Sequence, residues 1–127
     1  MVGTLSLDLP LDFRLAWKTV YASARPFTAI TGENDNGDFS FMNDRPSGES
    51  RGAYRGPDFF RSDVGIEWRP ELGHGRAALS FHAYNLFNRT NGDPSAVVTN
   101  VRSPLFGQVQ AAMPGRQIEL GARLLWD

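Results

Sequence analysis

Few residues in this chain are spaced for chemistry. Gly48-Glu49-Ser50-Arg51-Gly52 spells the G-x-S-x-G nucleophile elbow, and acidic residues and His74 or His82 follow it in Ser–Asp–His order. The elbow activates its serine by holding it on a strained turn between a strand and a helix. Here Pro46 precedes the motif, polar residues surround it and no helical period follows, so a chance match in a loop is expected. His74 and His82 are the only histidines, one in a glycine-rich turn and one on the polar side of an alternating segment. No His-x-His pair or HExxH exists to seed a catalytic zinc site. The oxygen-rich run Glu33-Asn34-Asp35-Asn36-Gly37-Asp38, with Asn43-Asp44 nearby, has the ligand chemistry calcium prefers but lacks the bidentate glutamate that closes an EF-hand loop. The same residues form Asx and glycine turns without metal. Asn88-Arg89-Thr90 is a glycosylation sequon that would matter only in a eukaryotic source. The expectation is a non-enzyme with no catalytic, cofactor-binding or metal residue and no cofactor.

The elements that carry these residues are read from periodicity. The chain has 127 residues and a net charge of -1, which supplies no basic surface for nucleic acid. Cysteine is absent, which removes disulfide scaffolds, thiolate metal sites and thiol nucleophiles. Alternation with period 2 runs through Leu5, Leu7 and Leu9, then through Leu11, Phe13, Leu15, Trp17 and Tyr21. It returns in Phe60, Val64, Ile66 and Trp68, in Ala77, Leu79, Phe81 and Ala83, and in Ile118, Leu120, Ala122, Leu124 and Trp126. Charged or polar residues occupy most intervening positions. Successive strand side chains point to opposite faces, so each segment has a dry face and a wet one. A helix would instead place Asp12 and Arg14 inside its apolar stripe. Five strands follow, at about 2–9, 11–21, 60–69, 76–86 and 117–126, with a parity break expected near Tyr84–Asn85. The three apolar sets, odd-numbered in the first two strands and even-numbered at 60–68 and 118–126, should share one side with Ala77, Leu79 and Phe81.

The connections alternate short, long, short, long: a turn about Pro10, residues 22–59, a turn over 70–75, and residues 87–116 with strand extensions near Ala96–Val101 and Gln108–Ala112. Outer-membrane barrels sort tight periplasmic turns from long external loops in this way, and flank an apolar band with aromatic girdles. At a strand tilt near ~40°, Leu11 to Tyr21 climbs about 25 Å and Phe60 to Trp68 about 20 Å. Trp68 and Trp126 would mark the periplasmic interface, Tyr21 and Phe60 the outer one. No apolar run approaches the ~18 residues of a membrane helix, and the first residues do not read as a secretory signal. A membrane strand needs only about 9–11 alternating residues and escapes both tests. A soluble antiparallel β-sandwich or partial-barrel binding module also has one dry and one wet face per strand, and stands as the alternative.

Several ordered motifs resemble a known family. Arg25-Pro26-Phe27-Thr28, Gly32 through Asn36-Gly37-Asp38, Asn43-Asp44-Arg45-Pro46 and Arg55-Gly56-Pro57 resemble the late region of TonB-dependent outer-membrane receptors, most closely the Oar-like group. Asn85-Leu86-Phe87-Asn88-Arg89-Thr90-Asn91 resembles that family's penultimate-strand motif. Phe106-Gly107-Gln108 and the segment Arg116 to Trp126 resemble its closing strand. The resemblance implies that residues 1–127 are a C-terminal fragment of a 22-stranded barrel domain in the cell outer membrane, with the plug domain lying elsewhere. It implies uptake of an external ligand. The implied partners are the remaining barrel and plug, TonB through the plug, the barrel-assembly machinery through the terminal strand, and outer-membrane lipid. Asp127 after the terminal aromatic departs from the family's usual ending. The expected fold class is all-β, an antiparallel meander of about five strands forming part of a transmembrane β-barrel, not closed by itself, with Gln117–Trp126 as an edge.

Overall fold

The computed structural model of the chain describes residues 1–126 and is all-β. β1 (Val2–Leu9) and β2 (Phe13–Ala22) form a hairpin, with Leu5 opposite Trp17, Leu7 opposite Leu15 and Leu9 opposite Phe13. β3 (Pro26–Phe27) and β4 (Tyr54–Arg55) form a separate two-stranded ladder. β5 (Phe59–Trp68), the short β6 (Glu71–Leu72), β7 (Gly75–Tyr84) and β8 (Gln117–Trp126) complete the main sheet. Its order is β1-β2-β5-β7-β8, with β6 continuing the β5 edge past Arg69 and Pro70. The sheet is antiparallel and not closed. β8 pairs along its whole length with β7, from Gly75 opposite Trp126 to Tyr84 opposite Gln117. β1 and β8 are therefore the two edges, as expected for the closing segment.

The register carries the apolar set across the sheet. The Thr19 and Ser62 hydroxyls meet at 3.1 Å near one end of β2 and β5, and Arg69 N–H donates to Asp12 O at the other. Those two links make the pair antiparallel and set Phe13 beside Trp68, whose rings stack at 5.7 Å. Ile66 opposes Phe81 and Phe81 opposes Leu120; Trp68 opposes Leu79 and Leu79 opposes Ala122. Directly opposed residues share a face. Apart from Leu11, the expected apolar positions with described side chains thus fall on one side, and a one-residue slip in any strand would have sent its set to the other. Expectations for the Trp126 side chain and for Asp127 lie outside the described residues.

The boundaries differ at the turns. Leu11, expected to begin the second strand, lies in the turn: Leu11 (φ 62) and Asp12 (φ 61) are left-handed, and Leu11 is 80% exposed. A three-residue reversal between Leu9 and Phe13 needs that backbone, which outweighs the alternation of Leu11 with its neighbours. The fourth strand ends at Tyr84 rather than 86. Asn85 is left-handed (φ 52) and its N–H donates to the Asp63 carboxylate at 2.9 Å. Leu86 N–H then reaches Ser62 O at 2.7 Å, one residue out of the register set by Val64 opposite Ala83. Asn85 is therefore the extra residue of a bulge, at the expected parity break. β6 and β7 are joined by the two-residue turn Gly73–His74, where Gly73 takes the positive φ.

The chain folds as two compact units. One comprises Met1–Ala22, Phe60–Thr90 and the segment from Pro114 onward, which is the sheet. The other comprises Ser23–Phe59 and Asn91–Met113. Both long connections are thus folded. The strand extensions expected near Ala96–Val101 and Gln108–Ala112 do not form as strands; residues 91–113 carry isolated antiparallel bridges instead, Val97 with Val109 and Gly92 with Ala112. A 3₁₀ turn, Pro94–Ala96, is capped by Asp93.

Candidate functional site

On the charged face of the sheet, long side chains are held in pairs. Arg14 meets Asp8 at 2.7 Å, Arg61 meets Asp63 at 2.7 Å, and Arg69 makes two bonds of 2.8 Å to Glu67. The Arg61 guanidinium also lies over the Tyr84 ring at 5.5 Å. His82 stacks on Tyr84 and lies across Gly65, where a Cβ would stand 2.8 Å from its Nδ1. A glycine at 65 is what lets the imidazole cover the neighbouring strand. His82 thus serves as a packed surface residue, while His74 is exposed in its turn.

The loop unit is organised by three aromatic rings. Phe27 stacks on Tyr54 at 5.5 Å, and Phe106 sits edge-on to both, at 6.1 and 5.0 Å. These contacts tie residues 23–59 to residues 91–113. The parallel bridge of Ile30 with Asn100 and the Glu33–Arg102 ion pair add to them. Gly32 is left-handed (φ 72) and leaves room for Asn100, whose side-chain amide would clash with a Cβ there. The Tyr54 hydroxyl donates to Glu49 Oε1 at 2.7 Å, and this bond raises the phenol's pKa above its ordinary 10.0.

The structure separates the sequence-derived candidates. Ser50 is exposed in a loop, with the left-handed Gly48 and Gly52 on either side and no helix after it, so the elbow's strand–turn–helix is not formed. The acidic loop is a set of Asx turns. Asp38 accepts from the Asn43 side chain, from Ser40 N–H at 2.8 Å and from Asn36 Nδ2 at 3.2 Å, which together hold its pKa below the ordinary 3.8. Asp44 is buried and accepts from Asp35 N–H at 2.7 Å. Glu33 is committed to Arg102. Among the described residues no three His, Asp or Glu side chains gather as a metal site. The sequon asparagine, Asn88, is left-handed and its Oδ1 accepts from Arg116 N–H at 2.9 Å. Asn85 closes a ring with Arg89 through both its amide atoms. The motif 85–91 therefore shapes the exit from β7.

Sequence reasoning missed a cavity of about 380 Å³ in the loop unit. Arg45 and Arg51 line it with Thr28, Ile30, Met42 and Thr99. No carboxylate lines it, and neither arginine has an ion-pair partner among the described residues. Its walls are set by two backbone bonds, Ile30 N–H to Thr99 O at 2.9 Å and Thr31 N–H to Asp44 O at 2.9 Å, and by Gly52 N–H donating to the Thr28 side-chain Oγ1 at 3.0 Å. The one sequence signal was that Arg45 and Arg51 both fall within motifs singled out for other reasons.

Comparison with known proteins found no matching family model, no similar curated protein and no similar solved structure.

Proposed function

We propose that this chain is part of the wall of a TonB-dependent outer-membrane transporter, which binds an external ligand and takes it up. One observation carries the reading. The apolar faces of five strands merge into a single surface, and it is exposed: Leu5 by 52%, Ile118 by 58% and Leu120 by 81%. The only buried hydrophobic side chains in the sheet, among the described residues, are Ala77 and Ala83. A sandwich would cover such a face with a second packed layer. In water a continuous apolar patch of this breadth invites association, whereas lipid covers it without a protein layer. The aromatic placement supports the same reading. Phe13 and Trp68 stack at the short-turn end, while Tyr21 and Phe60 lie at the other. Phe13 to Tyr21 climbs about 20 Å, close to the ~25 Å apolar band of a barrel.

The rest of the reading follows from barrel physics and the resemblance. Backbone groups inside lipid must be paired, so the free edges of β1 and β8 take further strands of the parent barrel. TonB is reached through a plug, and β8 is the segment offered to the barrel-assembly machinery. Trp17 and Trp68, both 37% exposed on the apolar face, give the test. In vesicles of lipid brominated along the acyl chain, variants retaining one of these indoles should lose fluorescence. A folded, monomeric chain in detergent-free buffer whose indoles ignore the bromines would overturn the proposal.

A further inference from the structure

We infer that the cavity between Arg45 and Arg51 binds a small organic anion bearing a carboxylate, with its apolar part against Ile30 and Met42. Two arginines line one cavity, and neither has an acidic partner among the described residues. Guanidinium presents a planar fork of donors that matches a carboxylate, and such charge-assisted bonds are about twice as strong as neutral ones. Unlike these two, Arg14, Arg61, Arg69 and Arg102 each have an acidic partner.

The remaining lining fits the same class. Thr28 Oγ1 accepts from Gly52 N–H, so its own hydroxyl proton is free to donate. Asn43 gives one of its two Nδ2 hydrogens to Asp38, which orients the amide. Ile30 and Met42 supply an apolar wall, which a bare inorganic anion would not use. A volume of about 380 Å³ lies within the ~300–1,000 Å³ of small-ligand sites. As the cargo of a transporter this anion rests on the reading above; binding at the cavity does not.

The test is an NMR titration of the whole chain in detergent micelles with succinate, and in parallel with neutral succinamide. Succinate should shift the amide signals of Thr28, Ile30 and Thr99 and the side-chain Nε–H signals of Arg45 and Arg51 in a saturable way, weakening as salt rises. Arg45→Gln and Arg51→Gln should each lower the affinity about tenfold or more. Both arginines are exposed, so the variants keep the fold, and an unchanged amide spectrum without ligand checks this. Equal response to succinamide, unchanged affinity in both variants, or no saturable shift at these residues would overturn the inference. Vesicle association is read separately. Anion binding without it would sink only the transporter reading, and association without anion binding only this one.

Discussion

The sheet and the loop unit use the same kinds of side chain in opposite ways. In the sheet, leucines and isoleucines alternate on long regular ladders and stay exposed, while Arg14, Arg61 and Arg69 of the other face pair with neighbouring carboxylates. In the loop unit the aromatic rings of Phe27, Tyr54 and Phe106 turn toward one another, and Ala29 is 2% exposed. Its backbone is held by short bridges and by side-chain acceptors such as Asp38 and Asp44. A regular ladder satisfies its own backbone, so the sheet can leave its side chains to the surroundings. An irregular segment has no such ladder and must close on a small core and on Asx turns.

Substitutions on the two faces of β8 should break this contrast most strongly. Leu120→Arg places a charge on the apolar face near the strand's middle and should cost about 2–4 kcal/mol in a membrane setting. Leu124→Arg, nearer the short-turn end, should cost about 0–1 kcal/mol. Arg123→Leu, on the charged face, should be milder than Leu120→Arg. Outer-membrane yields of the three variants in the parent barrel check the order, and equal loss for Leu120→Arg and Arg123→Leu would mean that the faces are not lipid and lumen.

In the loop unit the corresponding change is Tyr54→Ala. It removes two ring contacts and the donor to Glu49, whose Oε2 is already buried without a partner. Burying a full aromatic core residue is worth about 3–5 kcal/mol, and Tyr54 is only partly buried, so about 2 kcal/mol is expected. Amide exchange should accelerate over residues 23–58 and 91–113 and hold steady in β7 and β8. Acceleration spread evenly over both units would show that they unfold together.

The smallest expected effect is a pH dependence confined to the acidic loop. The folded pKa of Asp38 is depressed by its bonds from Asn43, Ser40 and Asn36, so the ionised form favours the folded turn. That contribution is complete above the ordinary 3.8 and is lost as pH falls through the lower folded value. The Ser40 amide signal should move toward its disordered position only at the acid end of a titration. Asp38→Asn should remove that acid step, and a midpoint above 3.8 would reverse the assigned direction.

What the sequence determined by itself is the sheet. Alternation is a local, period-2 property, and a strand's two faces follow from it whatever the strand pairs with. Gly73-His74 and Pro10 marked the short reversals, and consecutive strands joined by short turns pair antiparallel, so the open meander was legible too. Local parity did not reveal that Leu11 belongs to the turn, because the reversal to Phe13 demands left-handed backbone that side-chain pattern does not encode. Only the tertiary structure decided the loop unit. Its ring cluster joins residues 27, 54 and 106, and its cavity joins Arg45 and Arg51 to Thr99. Such contacts connect positions far apart in the chain with no period between them. They exist because irregular segments must bury what they can of their apolar surface and satisfy each backbone group singly, and how they do so depends on every other segment present.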